Sequence, residues 1–79
     1  MRAPWFMNGV LESVELKGVR VSLGDQVIVV MDGNGFGGKV TKLEGYCLWI
    51  AGVGNSVVEY HESFLDEIMI IKKAKIVLT

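Results

Sequence analysis

The sequence predicts an all-β domain, a small, strongly bent antiparallel barrel of five strands preceded by a short helix. Three observations lead there. From residue 19 the apolar residues recur with a period of two, Val19, Val21 and Leu23 alternating with Arg20 and Ser22. Residues 24–41 then read as strand, tight glycine turn and strand. Nothing in the chain alternates strands with helical stretches as a parallel α/β sheet would, and no segment repeats.

Residues 1–7 form a short arm in which Trp5 and Phe6 stand beside the single proline. Two adjacent rings at a chain end read as an anchor laid over the barrel or over a neighbouring subunit. A stacking platform for bases is the sharper alternative. Asn8 is a suitable helix cap, because its side-chain oxygen accepts from free N–H groups of a first turn. Val10, Leu11 and Val14 follow at helical spacing, and Gly18 is a plausible stop. A strand over residues 11–16 competes, since Val14 and Leu16 alternate with Ser13 and Glu15. The helix is the preferred reading.

Gly24-Asp25 marks a turn or bulge. Residues 27–31 are continuously apolar, as in a strand covered on both faces. Asp32-Gly33-Asn34-Gly35 supplies residues that tolerate positive φ, which a tight hairpin requires. Residues 36–43 return as a strand whose Gly37-Gly38 allows a sharp bend and lets another backbone approach closely. Glu44-Gly45 interrupts it, residues 46–50 form another apolar strand, and residues 51–56 form a loop. Residues 57–60 are a further strand, His61-Glu62-Ser63 a polar break, and residues 68–71 a last apolar strand before Lys72 and Lys73.

At 79 residues the chain is one domain. A domain of this size buries only about 60–65% of its unfolded surface and is marginal without help. Cys47 is the only cysteine and His61 the only histidine, so neither a disulfide nor a four-ligand zinc site can supply that help. With 51% hydrophobic and 22% charged residues, the chain carries more apolar side chains than so small an interior holds, which points to subunit interfaces. The net charge of −1 gives no global basic field for nucleic acid. No apolar run reaches the roughly 18 residues of a membrane span, and the N-terminus does not read as a signal peptide. A free thiol and four methionines fit a reducing cytoplasm.

Within the hairpin region, Val27, Val29 and Met31 are followed by Gly33-x-x-Phe36-x-Gly38-x-Val40, then Glu44 and Tyr46. This pattern resembles the first motif of the Sm-like (LSm/Hfq-type) family of small SH3-like β-barrels. Over residues 19–50 the resemblance is good, and over the rest it is loose. Leu48 stands where the family carries an Asn that helps to hold uracil, and the Arg-Gly of the eukaryotic second motif is absent. The resemblance therefore implies the fold and a cyclic ring, of about five to seven subunits, more than it implies RNA chemistry. In such a ring the free edge of one subunit pairs with the opposite edge of the next. Residues 46–50 and 68–71 are the expected edges.

Tyr46, Asp32, Arg20 and His61 are the candidate RNA-binding residues. Tyr46 sits at the aromatic position of the motif, Asp32 at the turn and Arg20 near the first strand. A stacked aromatic contributes about 1–3 kcal/mol per base. His61-Glu62-Ser63 is not expected to be catalytic, because neighbours in a strand point to opposite faces. Nor do residues 33–38 form a phosphate loop, since no Lys-Ser/Thr or helix follows. Lys39 and Lys42, three apart on a strand, are expected on opposite sides, and Lys72, Lys73 and Lys75 are the only clustered positive charge. Trp49 and Cys47 read as buried or interface residues.

The expected function is thus a ring-forming Sm-like protein with weak affinity for single-stranded RNA, without enzymatic activity, metal or cofactor. The alternative is a structural or protein-interaction module, such as a component of a phage or mobile-element assembly, with no nucleic-acid role.

Overall fold

The computed structural model describes residues 11–74. The expected arm over residues 1–7, the Asn8 cap, Val10 and Lys75 lie outside them. The described chain is all-β. Seven strands run β1 (Ser13–Leu16), β2 (Val19–Ser22), β3 (Gln26–Met31), β4 (Asn34–Glu44), β5 (Cys47–Ala51), β6 (Val57–His61) and β7 (Glu67–Lys72). The helical segments among the described residues are single 3-10 turns at Val53–Asn55 and Glu62–Phe64.

The stretch from Ser13 to Leu16 is a strand, contrary to the preferred helix. It pairs antiparallel with β2, Val14 opposite Val21 and Leu16 opposite Val19. That register puts four apolar side chains on one face and Ser13, Glu15, Arg20 and Ser22 on the other. The period-two pattern thus runs through both arms and outweighs the weaker helical spacing of Leu11 and Val14. Gly18 is no helix stop. With Lys17 at φ 52° and Gly18 at φ 76°, the pair forms the two-residue turn that joins the arms. Asp32 (φ 54°) and Gly33 (φ 80°) do the same between β3 and β4, so that hairpin is tighter than the four-residue turn expected.

Five strands form one antiparallel sheet in the order β6-β5-β4-β3-β7. The expected barrel is not closed: β6 and β7 are the two edges and are not paired with each other. Bulges interrupt the register of β4 between Val40 and Lys42 and of β7 opposite Gln26 and Val27, and such bulges bend a strand.

One face of the sheet is the core. Val27 and Val29 of β3, Val40 and Leu43 of β4, Leu48 and Ile50 of β5 and Ile68 of β7 are buried there. Leu16 and Val21 of the β1–β2 hairpin and Leu65, just before β7, complete the same cluster. Backbone hydrogen bonds tie the hairpin's flanks to the sheet, Leu11 N–H to the Leu43 carbonyl at 2.8 Å and Gly24 N–H to the Val40 carbonyl at 2.8 Å.

Gly38 is where β4 presses against β5. A Cβ there would lie 2.4 Å from the carbonyl oxygen of Ala51 and 2.5 Å from Cγ2 of Ile50. The close backbone approach expected at Gly37-Gly38 is therefore what requires glycine at position 38.

Candidate functional site

The β4–β5 turn and the link from β6 to β7 meet at one end of the sheet. Tyr46 comes from the first and His61 from the last position of β6. Their ring centres are 6.4 Å apart. Phe64 follows in the 3-10 turn, its ring edge-on to His61 at 6.2 Å. Tyr46 and Phe64 keep 63% and 70% of their surface exposed, so these rings are not a piece of the core.

Local hydrogen bonds hold this group in shape. The Glu62 N–H donates to the Tyr46 carbonyl at 2.8 Å, fastening the β6–β7 link to the β4–β5 turn. Nδ1 of His61 accepts the Ser63 N–H at 3.1 Å and lies 2.8 Å from the Ser63 hydroxyl. This caps the 3-10 turn and orients the imidazole. Glu62 also reaches the hairpin, its Oε2 accepting from the Lys17 N–H at 2.7 Å. The arrangement offers flat apolar faces for stacking, with one imidazole and one carboxylate beside them.

Of the four sequence candidates the structure brings Tyr46 and His61 together. Asp32 lies at the other end of the 11-residue β4, where its N–H donates to Oδ2 of Asp66 at 3.1 Å. Arg20 stands on β2 opposite Glu15, and its carbonyl accepts from Nζ of Lys73 at 3.3 Å. Phe64 escaped the sequence reading. Its place depends on the 3-10 turn that swings it back over His61, and neither periodicity nor spacing signals that turn.

The edge assignment also changes. Residues 46–50 contribute to β5, which hydrogen-bonds to β4 on one side and β6 on the other, and so cannot be an edge. Its apolar run reflects burial in the middle of the sheet: Leu48 and Ile50 are buried, and Cys47, Trp49 and Ala51 are half-buried. Residues 68–71 do belong to an edge strand, β7. The opposite edge is β6, with Val57 and Val58 exposed.

The β4 bulge moves the lysines too. Lys39 pairs with Ala51 and Lys42 with Trp49. The extra residue therefore puts both lysines on the same, outer face, contrary to the expected opposite sides. Nζ of Lys42 sits 4.7 Å from the centre of a Trp49 ring and 3.5 Å from Oε1 of Glu44.

Among the described residues no group of three or more His, Cys, Asp or Glu side chains could hold a metal ion. No helix among them is long and apolar enough to cross a membrane. Comparison with protein-family models, with curated proteins and with solved structures finds no match to this chain.

Proposed function

We propose that this chain is a ring-forming Sm-like protein that binds single-stranded RNA weakly through Tyr46, His61 and Phe64. The observation that supports it is the double position of His61, which ends the edge strand β6 and also stands in the exposed aromatic group. Pairing of β6 in one copy with β7 in the next is a heterologous contact, and it closes into a ring when the rotation allows. Such a ring repeats the aromatic group once per subunit. Several weak stacking sites then act together through avidity. The match of Val27, Val29, Met31, Gly33, Phe36, Gly38 and Val40 to the Sm-like motif supports the same reading.

The acidic balance, with a pI of about 5.7, and the Glu62 carboxylate beside the rings favour the second reading, a protein-interaction module of a larger assembly. Fluorescence anisotropy with short uridine- and adenine-rich RNAs separates the two, on material whose mass is known from light scattering. Salt-dependent binding at micromolar concentration to an oligomer supports the RNA reading. No binding at low salt rejects it in favour of the protein module.

A further inference from the structure

Three lysines meet where β3 begins. Gln26 is the first residue of β3, and Lys39 of β4 and Lys72 of β7 both lie directly opposite it. These residues form one row across the neighbouring strands β4-β3-β7. Val27 is buried in the core, so Gln26 faces the other side of the sheet. The two lysine Cα atoms are two strand spacings, about 10 Å, apart. Strict alternation from the buried Ile68 would turn Lys72 toward the core. The bulge at Ile71 returns it to the row of Gln26.

A cleft of about 220 Å³ opens here, lined by Gly24, Gln26, Lys39, Lys72, Lys73 and Ala74. No carboxylate is in its wall. The Asp25 carboxylate has no exposed surface and is already taken up by the Ser22 and Ala74 N–H groups and by Lys73. Glu12 opens onto a separate cleft. Glu67 lies opposite Val30, four residues along β3 and so about 13 Å from the row. The ion pairs among the described residues are Lys42 with Glu44 and Lys73 with Asp25, so Lys39 and Lys72 have no acidic partner among them. Nζ of Lys73 donates to Asp25 and to the Arg20 carbonyl, which leaves one of its three donors. The Gln26 amide adds two more. In a chain of net charge −1, this is a local excess of positive charge.

From this arrangement we infer that the cleft is a binding site for phosphate groups. Flexible four-carbon stems let Lys39 and Lys72 close on one phosphate from both sides of Gln26. The free donor of Lys73 and the Gln26 amide complete its hydrogen bonds. A phosphate offers oxygens in more directions than the two of a carboxylate, which suits donors converging from three strands' ends. Tyr46, His61 and Phe64 do not line the cleft, so the site does not depend on the RNA reading.

Titration of the full chain with inorganic pyrophosphate, followed by amide-resolved NMR, tests it. The amides of Gln26, Lys39 and Lys72 should shift saturably, and sodium chloride at equal ionic strength should not reproduce the shifts. Lys39→Gln and Lys72→Gln, both at exposed positions, should each weaken pyrophosphate about three- to tenfold. Lys42→Gln, whose ammonium is held by Glu44 and Trp49, should change it by less than about twofold. Salt dependence of RNA binding identifies the source of the phosphate. For a strand backbone, each lysine removed should lower the slope of log K against log salt by about 0.7, equally for uridine- and adenine-rich RNA. An unchanged slope in variants that have lost pyrophosphate assigns the site to a small phosphate compound. Pyrophosphate binding by a protein that ignores RNA supports this site and rejects the RNA reading. Absence of saturable shifts at the three amides overturns the inference, as does undiminished pyrophosphate binding by Lys39→Gln/Lys72→Gln.

Discussion

Nζ of Lys73 lies 3.0 Å from Oδ2 of Asp25, a carboxylate with no exposed surface, and the two residues are 48 apart in the chain. The same carboxylate accepts from the Ser22 N–H at 2.8 Å and, through Oδ1, from the Ala74 N–H at 2.8 Å. Asp25 thus closes the turn between β2 and β3 and clamps the chain after β7 against it.

Removing that clamp is costly. Asp25→Ala leaves two backbone N–H groups without their acceptor and should lower the unfolding free energy by about 2–3 kcal/mol in urea denaturation. Lys73→Ala should cost less than about 1 kcal/mol, because the lysine side chain is 56% exposed and its pairing is screened. Equal losses would show that the ion pair, rather than the backbone hydrogen bonds, carries the clamp.

The clamp also sets a pH dependence. Burial raises the Asp25 pKa, but the N–H groups of Ala74 and Ser22 and the Lys73 ammonium outweigh it and hold the carboxyl below its ordinary value. A carboxyl with a lowered folded-state pKa adds stability above its unfolded value and loses it as pH falls through the folded one. Its contribution should be constant near neutrality and decline below about pH 4. Asp25→Asn should flatten that part of the acid-unfolding curve.

The bend in β4 gives a contrast between neighbours. Gly38→Ala drives its methyl into the Ala51 carbonyl and should cost about 3 kcal/mol or more. Gly37→Ala meets Ile28 Cγ1 and the Val27 carbonyl at an ordinary 3.5 Å and should cost under about 1 kcal/mol. Thermal melts of the two variants check this.

Truncating the exposed rings should separate binding from stability. Tyr46→Ala and Phe64→Ala should each weaken binding of uridine-rich RNA by about 5- to 150-fold in anisotropy titrations, the worth of one stacked base. The melting temperature should hardly move, since both rings are mostly exposed. Undiminished affinity would remove that ring from the site.

The thiol of Cys47 should be sluggish. Burial, then the Glu59 carboxylate and that of Glu44, push its pKa up, and the thiolate is the reactive form. Labelling by a disulfide reagent at pH 8 should be slower than for an unstructured peptide thiol. Unfolding in urea should abolish the difference.

All-β character could be read from the chain because alternation of apolar and polar residues is a local property. The turns Lys17-Gly18 and Asp32-Gly33 differ instructively. The second is legible because glycine and asparagine cluster there, whereas the first resembles a helix end because Leu11 and Val14 also fit a helical spacing. The deciding fact was the pairing of Val14 with Val21 and of Leu16 with Val19, which exists only once the hairpin has formed.

What the residues dictate locally is where strands and tight turns fall and which side chains alternate. That includes the glycine at position 38 and the aromatic at 46. Neighbours across the sheet are another matter. The interior position of β5, the edge position of β6, the meeting of Tyr46, His61 and Phe64, and the clamp between Asp25 and Lys73 all join residues far apart in sequence. They depend on how β7 returns to β3 and how a one-residue bulge reorients β4. Periodicity specifies which face of a strand is apolar, but not which strand lies beside it, because hydrogen bonding between backbones is the same for every sequence.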